Sequence, residues 1–504
     1  MIFKQLFDTK SSTYTYLISS GKGREALIID PVLENVSEYI NLLKKLDLKL
    51  VKVIDTHIHA DHVTGASELK AETSCVTVMG ENTPAETVDV KLKDEEIIKI
   101  DHLEIYSKIE RCTVSRIDIL NDGQREKFIA ENDIVISMLP ARFHIILAKS
   151  CLKLKKNLLT ASYVSDEMRN LNKDVIDNNL IFLNEMGLDP GIDHMSAKKI
   201  IDNLLDDNNK ITSFKSYTGG LIAPVSDNNS WNYKFTWNPR NVVLAGQGTP
   251  AKYIENQKYK YLPYNRLFEN TERIKIKDYG DFEVYPNRDS LKYRELYGLK
   301  DIGTMIRGTI RKVGFPKSWN LLVRLGLTDD SFKISNSNGM TYRDFLNCFL
   351  PYHKSLSVED KTKNLLGINE EGSDWIKLQE IELFSNTKKI PLDNATPAQI
   401  LEYILKEHWK LEHNDKDMIV MYHEFKYTNS SGTNNKIIST MGCIGEDSIY
   451  TAMAKTVGLP IAIACLLILN KKINLLGVKT PIDKEIYKPI LQELENFGIS
   501  FNEK

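Results

Sequence analysis

The chain has 504 residues, 42% of them hydrophobic and 27% charged, with a formal net charge of −2. These proportions belong to a soluble globular protein of roughly two to four domains, long enough for several buried cores. The near-neutral balance excludes the global basic field expected of a protein with a nucleic-acid partner.

The opening MIFKQLFDTKSSTYTY has no basic region leading into an apolar run, so no signal peptide is expected. Short apolar, β-rich runs predict strands at 14–19, 26–30 and 50–55. Val36, Tyr39, Ile40 and Leu43 predict a helix over 35–46. Strand-like runs with turn signals at Gly80, Asn82 and Pro84 continue over 73–100, and the pattern is irregular over 101–115. A clean alternation follows, with strands expected at 117–120, 133–139, 157–163 and 180–185. Helices are expected at 124–130, 144–155, 166–178 and 193–205. That order predicts a parallel sheet covered on both faces. Strands are expected again at 214–217 and 242–244, then a mostly helical stretch over 319–413 with breaks at 336–339 and 370–373. Strands at 418–427 and 437–441 precede a helix over 447–470. Its apolar part, 457–469, is too short for a bilayer and contains Gly458 and Pro460, so it reads as a buried helix with no membrane partner. Six cysteines (Cys75, Cys112, Cys151, Cys348, Cys443 and Cys465) lie scattered without a CxxC pair, which predicts reduced thiols and a cytoplasmic location.

Two constellations carry chemistry. The first is Thr56-His57-Ile58-His59-Ala60-Asp61-His62, directly after an apolar strand. His57, His59, Asp61 and His62 gather nitrogen and oxygen donors suited to a divalent metal. The motif, with Val63–Ala66, Phe7-Asp8, 11–16 and Ile29-Asp30-Pro31 around it, resembles metallo-β-lactamase-fold hydrolases of the persulfide dioxygenase branch over residues 1–106. That branch holds iron in a two-His-one-carboxylate site. The family takes further ligands from a second histidine loop and a later aspartate, both beyond this segment, and His102 lacks that loop's context. Only His57 stands in an iron-ligand position, so any bound iron or zinc is expected to be non-catalytic.

The second constellation lies where predicted strands end. Ser137–Pro140, Thr160–Tyr163 and Asn184–Gly191 each close one, and ligands of open α/β sheets bind at such ends. The blocks TASYVS (160–165), NEMGLDPGIDHM (184–195), SYTGGLIAP (216–224), WNPRNVVLAGQ (237–247), FEVYPNRDS (282–290), RGTIR (307–311) and YTAMAKTVGLP (450–460) resemble glutamate-forming saccharopine dehydrogenases, over residues 115–504. The resemblance implies hydride transfer between NAD(P) and the imine or secondary amine of saccharopine, in lysine metabolism. It places Arg288, Thr309, Ile310, Arg311, Ser162 and Tyr163 at the substrate, and Leu139, Pro140, Leu188 and Asp189 at the cofactor. Asp189 is the candidate for proton handling. Arginines suit a ligand of three carboxylates. His194 reads as structural.

A dinucleotide fold should open with a strand, a G-x-G-x-x-G/A turn and a helix. Neither 20–23 nor Gly219-Gly220 fits that context, and the family's own opening would precede Ser115. The sequence reads as two truncated pieces joined near 107–114, with a weakened site for NADP or NAD. The expected fold is α/β: a partial metallo-β-lactamase-like αββα piece, then an incomplete Rossmann domain with an α/β substrate domain and a helical insertion. The expected boundaries are 1–106, then 115–190 with 446–504, 191–317 with 414–445, and 318–413. The implied partners are saccharopine, or glutamate with aminoadipate semialdehyde, and a second copy of the chain in a homodimer. The alternatives are a metal-dependent activity of the N-terminal piece and a non-catalytic protein that binds saccharopine-like ligands.

Overall fold

A computed structural model describes residues 2–19, 23–60, 62–85, 88–93, 98, 115 and 117–504. The chain divides into two compact units, 1–118 and 119–504. The junction near 107–114, His102, Cys112 and Asp61 lie outside the described residues.

The first unit is one six-stranded sheet in sequential order, β1 (Ile2–Asp8), β2 (Thr13–Ser19), β3 (Glu25–Ile29), β4 (Lys49–Ile54), β5 (Val76–Gly80) and β6 (Val90–Leu92). It starts antiparallel and turns parallel from β3 onward. The helices Val36–Lys45 and Ala66–Thr73 connect the parallel strands. Val36, Tyr39, Leu43 and Leu69 bury against Leu17, Ala26, Ile28, Leu50 and Val53.

The second unit opens with short parallel strands, β7 (Ile134–Ser137), β8 (Asn157–Thr160) and β9 (Ile181–Leu183). Nine more strands, β10 (Lys210–Ile222), β11 (Ala251–Glu255), β12 (Lys258–Leu262), β13 (Glu272–Ile276), β14 (Gly280–Pro286), β15 (Thr304–Lys312), β16 (Asp417–Thr428), β17 (Asn434–Ile444) and, last, β19 (Asn502–Glu503), form a large mixed sheet. Between the last two comes β18 (Gly477–Lys479), which returns to the small sheet and pairs parallel with β9, giving the order β18-β9-β8-β7. The helix Ala452–Leu469 packs on both sheets. The insertion between β15 and β16 carries five helices, Phe315–Arg324, Tyr342–Asn347, Val358–Leu366, Ser373–Glu380 and Pro397–His408, around a core of Trp231, Trp319 and Trp409.

Several expectations need correction. Residues 117–120 are not a strand, because β7 pairs only with β8 and offers no second ladder among the described residues. The strand expected at 133–139 shrinks to β7 and is not buried, for Ile136 at this edge is 41% exposed. The helix over 166–178 breaks at Leu171 into Asp166–Asn170 and Asn172–Asp177. Leu244 opens a 3-10 turn, Leu244–Gly246, while Val242 and Val243 belong to a helical turn, Pro239–Val243. There the Asn238 side chain accepts from the Arg240 N–H and Pro239 occupies the first position, so capping outweighs the β-branched pair. The helix expected over 447–470 begins at Ala452. The Asp447 carboxylate holds the Ile449 and Tyr450 N–H groups in a turn, and Thr451 caps the helix.

Candidate functional site

A cavity of about 850 Å³ lies between the carboxy ends of the short parallel strands and the large sheet. Its small-sheet wall is Ala161, Tyr163 and Gly187–Pro190, the segments that follow β8 and β9. The turn at 187–191 needs Gly191. Its φ is +149°, and a Cβ there would lie 1.9 Å from the Gly187 carbonyl oxygen. The opposite wall comes from β15, where the two-residue period points Arg307, Thr309 and Arg311 into the cavity. Met453 and Val457 of the helix Ala452–Leu469 complete it.

Asp189 joins the walls. Its Oδ1 accepts from the Tyr163 hydroxyl at 3.0 Å and from Arg307 Nη2 at 2.7 Å. Arg307 also donates to Asp193 Oδ2 at 2.6 Å, and its guanidinium lies 4.7 Å from the centre of the Tyr293 ring. Burial and the neighbouring Asp193 push the Asp189 carboxyl above its ordinary pKa, against the opposing charge of Arg307. Burial and Asp189 together push the Tyr163 phenol up, so it stays a donor. Behind this layer His194 sits fully buried, with Nε2 3.0 Å from Glu185 Oε2 and Nδ1 against the Tyr297 hydroxyl. Burial alone would raise the Glu185 carboxyl; the contact with His194 outweighs it and holds the pKa below its usual value.

Three more cations, Arg311, Arg288 and Lys292, and one more carboxylate, Asp289, line the rest of the cavity among uncharged residues. Arg311 is 3% exposed, under the rings of Tyr233, Tyr285 and Phe315, and donates from Nη1 to the Ile310 carbonyl at 2.9 Å. Its Nε is buried without an acceptor, and no carboxylate among the described residues pairs with it. Arg288 donates only to the Leu244 carbonyl at 2.8 Å. Lys292 stands 5.8 Å above the Tyr163 ring and 5.9 Å above the Tyr293 ring. The Thr218 hydroxyl, also on the cavity wall, is buried without a partner, while Thr309 donates to Asn287 Oδ1 at 2.7 Å. A buried guanidinium that lacks a carboxylate, beside an unmatched hydroxyl, is a site shaped for an anionic ligand.

The structure therefore gathers Tyr163, Leu188, Asp189, Arg288, Thr309 and Arg311 in one cavity. Ile310 is a correction: its side chain faces the opposite side of β15, in the core, where a Cβ on Gly219 would lie 2.8 Å from it. Ser162 does not line the cavity either; its hydroxyl lies 2.8 Å from His144 Nε2, whose Nδ1 is 2.8 Å from Ser137 Oγ. Leu139 and Pro140 close β7 apart from the cavity lining. Arg307, Lys292 and Tyr293 were not singled out in the sequence. The alternation 307, 309, 311 on one predicted strand is the signal that could have found Arg307.

Among the described residues no strand-to-helix glycine turn stands ready for the pyrophosphate end of a dinucleotide. Among the described residues β7 ends its sheet, and the sequence has no glycine between Gly80 and Gly123 from which a phosphate-cradling turn could be built. In the first unit Asp30, His57 and His59 bring one donor atom each within 4.8 Å of one another. Asp30 was not among the expected ligands, and His62 is not part of this cluster. Instead, His62 Nδ1 lies 3.1 Å from Thr13 Oγ1. Both Asp30 oxygens already accept hydrogen bonds from Thr56, and His59 Nε2 is 3.1 Å away. Among the described residues these donors are joined to one another in a hydrogen-bonded turn.

Comparison with known proteins matches residues 187–499 to the saccharopine dehydrogenase C-terminal domain family and residues 69–183 to the saccharopine dehydrogenase NADP binding domain family. Residues 8–124 match the metallo-beta-lactamase superfamily. The chain is 35% identical, over 77% of its own length and 88% of the other's, to saccharopine dehydrogenase [NADP(+), L-glutamate-forming] of Saccharomyces cerevisiae. It is 32% identical to alpha-aminoadipic semialdehyde synthase of Arabidopsis thaliana, over 88% of this chain but only 43% of that protein. A 71-residue stretch is 46% identical to the mitochondrial persulfide dioxygenase of Mus musculus and spans 28% of it. Among solved structures, apo saccharopine dehydrogenase (L-Glu forming) from Saccharomyces cerevisiae superposes with a TM-score of 0.71 and 28% identity, covering 95% of this chain and 98% of that one.

Proposed function

The chain belongs to the saccharopine dehydrogenase family, and from that premise we propose that it is an oxidoreductase of lysine metabolism that binds saccharopine in the arginine-lined cavity, with a weakened nucleotide site. The observation that carries the reading is Arg311, a buried cation without a counter-charge, aimed into a cavity that also holds Arg288 and Lys292. Three cations without carboxylate partners match the three carboxylates of saccharopine. When bound in the cavity, NAD(P) would supply the hydride acceptor for the carbon beside the secondary amine. The amine must lose its proton before that carbon can become an imine carbon. Asp189, with its pKa raised and one oxygen shared between Tyr163 and Arg307, is the group that takes the proton. Met453, Val457 and Leu188 give this end of the cavity an apolar wall that limits water.

The test is saccharopine-dependent reduction of NADP and NAD by the purified full chain, together with thermal stabilisation by saccharopine alone. Turnover supports the full reading. Stabilisation without turnover reduces it to a non-catalytic ligand-binding protein. Neither effect would overturn it. NADPH should bind no more tightly than about 0.1 mM, roughly −5.5 kcal/mol, and a Kd of a few micromolar would contradict the weakened site. A homodimer through the large sheet and a cytoplasmic location, which suits the free thiols Cys75, Cys151, Cys348, Cys443 and Cys465, complete the reading. Sedimentation and imaging of a tagged chain test them.

A further inference from the structure

A second basin of about 500 Å³ lies beside the substrate cavity, and Lys292 lines both. Its other charged residues are Arg169, Lys252, Arg294 and the single carboxylate Glu295. Arg169 comes from the helix Asp166–Asn170 beside the small parallel sheet, whereas Lys252 lies on β11 and Lys292 and Arg294 lie just past β14. Lys252 has a distant partner, Asp289, at 3.9 Å. Arg294 donates to the Tyr259 hydroxyl at 3.0 Å, and among the described residues neither Arg294, Arg169 nor Lys292 pairs with a carboxylate. Four cations therefore face one another across an open basin with little internal neutralisation. Like charges so placed repel and remain only because the basin is wet, so an anion that enters it is attracted by all four.

We infer that this basin is an entry station for a polycarboxylate, holding one end of the incoming substrate before Lys292 passes it to the cavity. The inference rests on the proposed saccharopine reading and adds a second anion site to it. Lys292 is the shared element: its Nζ lies 5.8 Å from the centre of the Tyr163 ring and 5.9 Å from that of Tyr293, so the ammonium can swing between basins over aromatic faces. Because Arg169 belongs to one wall of the cleft and Arg294 to the other, a carboxylate held between them also draws the walls together.

The experiment is titration calorimetry of the full chain and of the double variant Arg169→Gln/Arg294→Gln, with saccharopine and separately with citrate, at about 0.02 M and about 0.3 M salt. Saccharopine affinity of the variant should be about five- to tenfold weaker at low salt, and the two proteins should converge at high salt. Citrate should bind the parent chain at low salt at least about fivefold more tightly than the variant. Arg169→Lys with Arg294→Lys should restore both, which separates charge from folding. Equal saccharopine affinity and equal salt dependence in parent and variant would overturn the inference. If the parent binds citrate but not saccharopine, the substrate reading fails while the basin stands as an anion site. If it binds neither, both fail.

Discussion

The two walls of the cavity are unequally complete. The large sheet brings strands of up to 13 residues, each paired along its length, and from β15 it projects Arg307, Thr309 and Arg311 at fixed spacing. The small sheet brings four strands of three or four residues and ends at β7, whose outer edge carries a half-exposed isoleucine. The ligand-binding wall therefore depends on long-range pairing within one intact sheet. The small-sheet wall rests, among the described residues, on four short strands. The charged lining of the cavity stands mainly on the longer sheet and the segments next to it.

The contact most able to break this contrast is Arg307, which ties the complete wall to the incomplete one. Arg307→Met leaves Asp189 and Asp193 buried without their cation and should destabilise the chain by about 3–5 kcal/mol, read as a fall in the calorimetric Tm. An unchanged Tm would mean that the two walls do not depend on each other. Next in size is Arg311→Ala, expected to weaken saccharopine binding by about 2 kcal/mol or more, roughly thirtyfold, with little effect on folding. Comparable losses of stability and of binding would make Arg311 a core residue and not a ligand anchor. The pH dependence of the complete wall sharpens the contrast further. His423 on β16 lies fully buried 2.8 Å from Ser196 Oγ, and burial lowers its pKa from 6.5 to about 3. The folded state therefore binds fewer protons than the unfolded one below pH ~6.5. Stability should fall by about 1.4 kcal/mol per pH unit on acidification from there toward pH 3, and His423→Leu should flatten that slope in denaturant titrations. The smallest effect belongs to the first unit. His57→Ala should leave saccharopine binding unchanged and alter stability by less than about 0.5 kcal/mol. Stoichiometric iron or zinc in the purified chain, lost in that variant, would instead restore a metal role to Asp30, His57 and His59.

Much of the site could be read in the sequence because its residues fall in ordered blocks at strand ends. Tyr163, Asp189, Arg288 and Arg311 all reach the cavity that those blocks implied. What escaped was set by register and by neighbours. Ile310 shares a motif with Arg311, but strand alternation turns it into the core. Ser162 stands one residue from Tyr163, but its hydroxyl is engaged by His144, a partner 18 residues away. The segment 117–120 has the composition of a strand, but it ends in a turn whose Ile119 carbonyl accepts from Arg125 Nη1 at 2.7 Å. The helical turn at Pro239–Val243 shows the reverse: a cap and a proline decide the structure of residues whose side chains favour strand.

Arg311 has a consequence for how long the molecule survives. A folded state that holds an unmatched cation at its centre is more stable with an anion bound than without, by an amount that grows with free ligand concentration. Inside a cell the fraction of chains open to proteolysis would then follow the metabolite pool. The abundance of the protein would report how much dicarboxylic or tricarboxylic amino acid is present, even in a chain that turns over none of it.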